Sequence, residues 1–291
     1  MRYALFLGCT VPARGRNYEL STRKVAECLD IELVDIEEFS CCGFPIKPIK
    51  WDAFLLMAAR NLCLAEERDL DICCLCTACT ESLTEINREL QNHRELREEV
   101  NARLRELGHE FKGKVKVKHF SRILHEEIGP QGIKDRVKRK LSGIRFAAHY
   151  GCHYLKPSKI YDRFDDPEYP HTLDELIEAT GATSVSYDGK LKCCGGGILG
   201  IDEDVALSLS KLKLDHVRAS RADALCVICA FCSVMYDDNQ AKINKKFELD
   251  HRVPVLYYPQ ILGLALGFNP KELGLHMNIV KTEELLSRIL S

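Results

Sequence analysis

Cysteines recur twice in one order along this 291-residue chain. The first set is Cys9, then Cys41-Cys42-Gly43, then Cys76-Thr77-Ala78-Cys79. The second is Cys152, then Cys193-Cys194-Gly195, then Cys229-Ala230-Phe231-Cys232. The lone cysteine precedes the pair by 32 and 41 residues, and the pair precedes the CxxC by 34 and 35. Ten of the fifteen cysteines thus form two matched sets of five. Such an order implies a duplicated unit with one metal-type site in each copy.

The odd cysteine count and the length of the chain disfavour a disulfide framework. No secretory signal is read at the start: Arg2 is followed at once by the apolar run Tyr3–Leu7, which ends at Gly8-Cys9 without a cleavage site. The longest apolar stretch, near Val255 to Phe268, contains Pro259 and Gln260 and is too short to span a bilayer. A net charge of −2 gives no support for nucleic acid as a partner. The expectation is a soluble, cytoplasmic protein.

The repeat extends to the predicted elements. In the first half, strand Tyr3–Leu7 leads to Cys9, a helix covers Tyr18–Leu29, and strand Ile31–Val34 precedes the Cys41-Cys42 loop. Asp52 is placed as the cap of a helix over Ala53–Glu67. Strand Leu70–Leu75 enters the CxxC turn, and Val115–Lys118 with a helix over Phe120–Ile128 closes the half. The second half repeats the order with strands Arg145–Ala148, Ser184–Tyr187, Ala224–Ile228 and Pro254–Tyr257. Its helices cover Thr172–Thr180, Val205–Ala219 and Gln260–Leu266.

Strands alternating with helices predict parallel sheets covered on both faces, with ligands at the carboxyl ends of the strands. The expected fold class is therefore α/β: two similar Rossmann-like domains, 1–142 and 143–291, related by a pseudo-two-fold axis. The boundary is placed in the basic, weakly patterned link Gly129–Gly143. Between Cys79 and Val115 the apolar spacing of Leu83, Ile86, Leu90, Leu96, Val100, Leu104 and Leu107 predicts a helical hairpin on the first domain.

Five thiolates are one more than a tetrahedral zinc or a cubane cluster requires. Adjacent cysteines point in divergent directions, which suits two iron atoms or a bridging position. Soft thiolates select zinc, copper(I) or iron–sulfur clusters. A larger or irregular iron–sulfur cluster accounts for the fifth donor best, and structural zinc is the competing use. A metal-free redox CxxC would leave three cysteines in each set unexplained.

Cys73 and Cys226 lie three residues before their CxxC turns, where a sixth donor or a buried strand residue are the two readings. The second is preferred, since free cysteine behaves as a small core hydrophobe. Cys28, Cys63 and Cys74 are read as core residues, and His149 as structural. His153 follows Cys152 directly and either donates to a departing thiolate or only orients its neighbour. Lys47, Lys50, Lys156, Lys190 and Lys192 flank the cysteine loops and suit an anionic ligand. Gly195-Gly196-Gly197 permits a sharp turn or close backbone approach.

The single cysteine, the Cys-Cys-Gly and the CxxC together form the cysteine-rich CCG motif. Two such motifs in tandem, with Phe6-Leu7-Gly8-Cys9-Thr10 and His149-Tyr150-Gly151-Cys152-His153-Tyr154-Leu155-Lys156-Pro157, resemble the B subunit of heterodisulfide reductase. The likeness extends to Ala58–Cys63 and Ile261–Ala265 and so covers the whole chain. It implies two non-cubane [4Fe–4S] clusters. One is held by Cys9, Cys41, Cys42, Cys76 and Cys79, the other by Cys152, Cys193, Cys194, Cys229 and Cys232.

The resemblance also implies that a disulfide, in the family that of coenzyme M and coenzyme B, is reduced to two thiols by one electron from each cluster. His153 is then the candidate catalytic residue. The chain carries neither a ferredoxin cysteine run nor a GxGxxG fingerprint. Electrons must therefore arrive from another protein. The family supplies a ferredoxin-like C subunit and a flavin-containing A subunit, with a hydrogenase or formate dehydrogenase upstream. Gly43-Phe44-Pro45-Ile46 departs from the loop expected in methanogen members, which leaves room for a different disulfide. The alternative function is an electron-transfer CCG subunit of a lactate- or glycolate-type oxidoreductase.

Overall fold

The computed structural model describes residues 1–291. Eight short strands form two separate sheets. The first contains β1 (Arg2–Phe6), β2 (Glu32–Asp35), β3 (Asp71–Cys74) and β4 (Val117–His119) in the order β2-β1-β3-β4. The second contains β5 (Arg145–His149), β6 (Thr183–Val185), β7 (Ala224–Val227) and β8 (Val255–Tyr257) in the order β6-β5-β7-β8. Every neighbouring pair is parallel. Helices cover both faces, so the central strands read as continuous buried runs rather than alternating ones. Tyr3–Phe6 and Ala224–Val227 are buried throughout. The duplicated α/β expectation is thus borne out.

In each sheet the order reverses beside the first strand, between β1 and β3 and between β5 and β7. That switch point opens a crevice at the strand ends, where open α/β sheets place their ligands. Cys9 and Cys76 follow β1 and β3, and Cys152 and Cys229 follow β5 and β7.

Helix Arg16–Cys28 buries Tyr18, Ser21, Thr22, Val25 and Ala26, an i, i+3, i+4, i+7 stripe facing the core. The predicted hairpin is present as helices Thr77–Asn92 and Arg94–Arg105. Helix Glu203–Ala219 is capped by the Asp202 carboxylate, which accepts the Val205 N–H at 3.0 Å. The expected cap at Asp52 is not formed. Its helix starts at Trp51 with Lys50 as the capping position, and Asp52 lies inside the first turn, where a carboxylate still favours the positive end of the helix dipole.

The link Gly129–Gly143 is also more ordered than its pattern predicts. It opens with helix Gly129–Lys134, whose Ile133 is buried. That helix packs against Thr172–Ala179 of the second half, while Tyr258–Ala265 at the end of the second half packs against Arg16–Cys28 of the first. The two halves clasp each other reciprocally. The apolar faces that join them were visible, but not their partners, because periodicity shows a face and not what covers it.

Two polar contacts sharpen this clasp at Ile228, the residue before the second CxxC. The Tyr18 hydroxyl donates to the Ile228 carbonyl at 3.1 Å, and His119 Nε2 lies 2.8 Å from the same oxygen. His119 Nδ1 accepts the Ser121 N–H, so Nε2 carries the proton. Burial holds the imidazole neutral, at about 4. The Tyr18 ring stacks on Tyr257 at 4.0 Å. Tyr18→Phe keeps the stack and removes one buried donor. It should lower stability by about 1–3 kcal/mol in anaerobic denaturant titration; an unchanged midpoint and slope would show that the hydroxyl does not hold the halves.

Asp237 anchors the chain after β8 in the same way. Its carboxylate accepts the N–H groups of Ile279 and Val280, both at 2.8 Å, and burial raises it from 3.8 to about 6. The folded state therefore binds this proton more tightly than the unfolded chain, and the stability linked to it is lost as pH rises from about 4 through about 6. Asp237→Asn stays neutral across that range. Its stability relative to the parent should rise by on the order of 3 kcal/mol between pH 4 and pH 7. A pH-independent difference between the two proteins would refute this assignment.

Candidate metal centres

Each half gathers its five sequence-predicted cysteines into one cage. In the first, sulfur contacts run Cys9–Cys41–Cys42–Cys79–Cys76. In the second they run Cys152–Cys193–Cys194–Cys232–Cys229. The thiols form a row and do not converge on one ion-sized point. The two rows meet: Cys76 Sγ and Cys229 Sγ are 4.0 Å apart, and both are buried. At the other end of each row the sulfurs approach solvent, Cys9 and Cys193 being exposed and Cys41 and Cys152 half-buried.

Local backbone explains why these residues sit as they do. Cys76 and Cys229 occupy the capping positions of the helices that follow β3 and β7. The amides of Cys79 and Cys232 donate back to their sulfurs and favour the thiolate. In the Cys-Cys loops the Gly43 N–H lies 3.4 Å from Cys41 Sγ. Gly195 and Gly196 N–H lie 3.3 Å from Cys193 and Cys194 Sγ respectively. Gly43 and Gly195 have φ of +86° and +84°, which lets each loop turn over the helix behind it.

Packing five thiols together distorts their acidity. Hydrogen bonds from Cys41 and Cys79 pull the Cys42 thiol well below its ordinary range, and those from Cys152 and Cys194 do the same to Cys193. Hydrogen bonding to the charged Cys193 pushes Cys194 up to about 12. Neighbouring thiols thus favour a thiolate at one position of each cage at the expense of the next. Further deprotonation is opposed by mutual repulsion and burial, which bound cations would relieve. Five soft donors, amide-stabilised and crowded, fit a thiolate-ligated metal group.

The remaining cysteines behave as core. Cys73, Cys74 and Cys226 are fully buried on strands, and burial drives their thiols up. Cys63 lies buried in helix Trp51–Glu66, pushed up to about 12 by burial. Cys28 is half-buried at the end of its helix.

His153 is half-buried where the two halves meet. Its ring meets Phe44 edge-on at 4.9 Å, and Nδ1 lies 3.8 Å from the buried Glu81 carboxylate. Phe44 comes from the divergent first loop and Glu81 from the helix that begins at the first CxxC. Lys47 is tied to Glu81 at 2.9 Å and also to Glu85. Lys190 pairs with Asp174 and Lys156 with Glu168. Lys50 and Lys192 remain exposed on the cysteine loops. The expected cationic rim is therefore smaller than the five lysines suggested. A cavity of about 690 Å³ between Asp237, His251 and Arg288 holds none of the ten cysteines.

Two residues beside the second cage escaped the sequence reading. His149, expected to be structural, places Nε2 3.3 Å from Cys232 Sγ. Lys213, one of two lysines in its helix, is buried and donates to the carbonyls of Gly189 and Lys190. Burial lowers its ammonium to about 8, while the nearby sulfurs oppose that shift. A lysine on the apolar stripe with Leu207, Ser210, Leu214 and Val217 was the signal available.

This arrangement defines a tandem cysteine-rich protein, and the CCG cysteine-rich domain model matches residues 3–84 and 146–237. The chain is 39% identical to the B subunit of the ferredoxin:CoB-CoM heterodisulfide reductase of Methanosarcina mazei, over 99% of its own length and 97% of that protein. It is 31% identical to the 8-methylmenaquinol:fumarate reductase membrane anchor subunit of Wolinella succinogenes, over 97% of this chain and 98% of that one. A solved Helicobacter pylori hypothetical protein shares the fold with a TM-score of 0.79 at 17% identity; 96% of this chain matches 52% of that one, about half its length. The chain belongs to the family of heterodisulfide reductase B subunits. No helix is long and apolar enough to cross a membrane.

Gly195 tests the loop geometry. A Cβ there would lie 2.6 Å from the Ala206 carbonyl oxygen, on top of a left-handed φ. Gly195→Ala should cost about 2–4 kcal/mol and reduce metal bound by the second cage. Gly200→Ala, with nothing within 4 Å, should match the parent. Equal stability and metal content in the two variants would remove the steric argument.

Proposed function

We propose that this chain is the disulfide-reducing component of a heterodisulfide reductase-type complex, acting on the coenzyme M–coenzyme B heterodisulfide or an analogue. The observation that carries the reading is the 4.0 Å approach of Cys76 and Cys229, which brings the ends of two five-thiol cages together. Cleaving one disulfide takes two electrons, and an iron–sulfur cluster normally gives one. Two centres whose donor rows meet match that requirement. Domains 1–142 and 143–291 are the proposed units, each contributing one cage.

The proposed ligands are Cys9, Cys41, Cys42, Cys76 and Cys79 for one non-cubane [4Fe–4S] cluster, and Cys152, Cys193, Cys194, Cys229 and Cys232 for the other. When bound, the clusters supply the electrons one at a time. The protein supplies the rest. The amides of Gly43, Gly195 and Gly196 donate to ligand sulfur and stabilise its negative charge. The clasp at Ile228 keeps the cages opposed. His153, whose Nδ1 faces Glu81, offers a proton from Nε2 to a departing thiolate where the halves meet. Lys50 and Lys192 offer charge to anionic ends of the disulfide.

The partners in this reading are a ferredoxin-like C subunit and a flavin-containing A subunit, with a hydrogenase or formate dehydrogenase as an upstream source. The complex would act in the cytoplasm. The Wolinella relative supports a second reading, in which the chain relays electrons within an oxidoreductase and breaks no disulfide.

Anaerobically purified protein should contain iron and acid-labile sulfide in equal amounts and little zinc. The complex reconstituted with its partner proteins should reduce the disulfide with reduced viologen as donor. Cys79→Ser or Cys232→Ser should each remove roughly half the iron and abolish that activity. Zinc in place of iron would end the cluster reading, whereas full iron without disulfide reduction would favour the relay.

A further inference from the structure

The two cages follow one plan but do not sit in equal surroundings. Strand register equates Phe6 with His149, because Phe6 pairs with Cys74 and His149 with Val227, each two residues before its CxxC. Gly43 lies against Phe54 as Gly195 lies against Ala206, which equates Asn61 with Lys213 on the helices behind the Cys-Cys loops. At both positions the second half carries the more electropositive group.

In the first half Phe6 packs edge-on against Phe39 at 5.0 Å and offers no donor to sulfur. In the second, His149 Nε2 faces Cys232 Sγ, and buried Nδ1 has no hydrogen-bond partner. A deprotonated ligand sulfur only accepts, so Nε2 carries the hydrogen. Asn61 is a neutral amide that binds Ser40 N–H and the Cys41 carbonyl. Lys213 is 2% exposed, pairs with no carboxylate, and has the second cage's sulfurs as the charges that bear on it most. Its ammonium bonds two carbonyls and lies 5.3 Å from the centre of the Tyr187 ring, contacts that leave it without a counter-ion, and nearby anionic sulfur offsets that desolvation cost.

The acidic groups lean the other way. Glu81, two residues after Cys79, corresponds to Val234 after Cys232, and it is buried. Glu81 and Glu85 share the single ammonium of Lys47. The first half has no counterpart of the Lys213 ammonium, which stands in the second half without a carboxylate partner.

Reduction adds one negative charge to a buried centre. A nearby cation and an N–H···S bond both stabilise that charge and raise the reduction potential. Given the iron–sulfur reading above, we propose that Lys213 and His149 make the C-terminal centre the higher-potential of the two. With both clusters bound, the first electron from a low-potential one-electron donor would rest on that centre and the second would occupy the N-terminal centre, the stronger reductant. Two electrons so stored would suffice to cleave one S–S bond into two thiolates, so charge and electrons balance without another reactant. Lys213 and His149 are positioning residues here, since they act through the electrostatics of the cage.

The test is an anaerobic redox titration of the cluster-loaded protein, followed by electron paramagnetic resonance. The parent should show two one-electron steps. Lys213→Met should lower the upper step by about tenfold in its equilibrium constant, about 59 mV for one electron, and leave the lower step in place. His149→Phe, which copies the first half, should move the same step downward and keeps the proposal testable if the lysine variant folds poorly. Lys213→Arg should retain the parent value. A single step in the parent, an upper step that Lys213→Met and His149→Phe leave unmoved, or a Lys213→Met shift confined to the lower step would overturn the asymmetry while leaving the clusters intact. Absence of any iron–sulfur signal in the parent would instead overturn the reading on which it rests.

Discussion

The contact between Cys76 and Cys229 organises this molecule. It joins two cages whose remaining sulfurs lead outward to solvent. A thiol pair at 4.0 Å cannot hold itself in register, since two thiols attract weakly and two thiolates repel. The register comes from the Ile228 carbonyl, which accepts from Tyr18 and His119 of the opposite half immediately before Cys229. Buried hydrogen bonds of this kind are costly to break, because the carbonyl has no water to fall back on. The closing helix of each half, packed on the other half, extends that constraint over the interface.

The same logic explains the contrast between the ten cage cysteines and the five others. Cys73, Cys74 and Cys226 are buried among apolar neighbours, where only the neutral thiol is tolerated. Cys42, Cys76, Cys194 and Cys229 are as buried, but they lie beside N–H donors from tight glycine turns and helix starts, which favour the thiolate. Burial alone therefore does not separate donor from core residue. The direction of the surrounding dipoles does.

Much of this was legible along the chain. The strand and helix order follows from short apolar runs alternating with amphipathic segments, and the spacing of the cysteines places them at the strand ends. Errors fell where tertiary context overrides local signals. Asp52 has the composition of a cap, yet the helix starts one residue earlier, at Trp51. The link after Gly129 lacks a strong stripe, yet Ile133 alone is enough to anchor a short helix when Thr172–Ala179 supplies the other face. His149 and Lys213 looked ordinary because a histidine ending a strand and a lysine in a charged helix are common.

The sequence by itself determined the donor set, the duplication and the α/β class, because those depend on residue type and on spacing within a few dozen positions. Only the tertiary structure decided that the cages oppose each other and that their surroundings differ in charge. Those features rest on contacts such as Tyr18 to Ile228 and Cys76 to Cys229, which span 210 and 153 positions. No local periodicity carries that information, because it arises when two folded surfaces exclude water from one another.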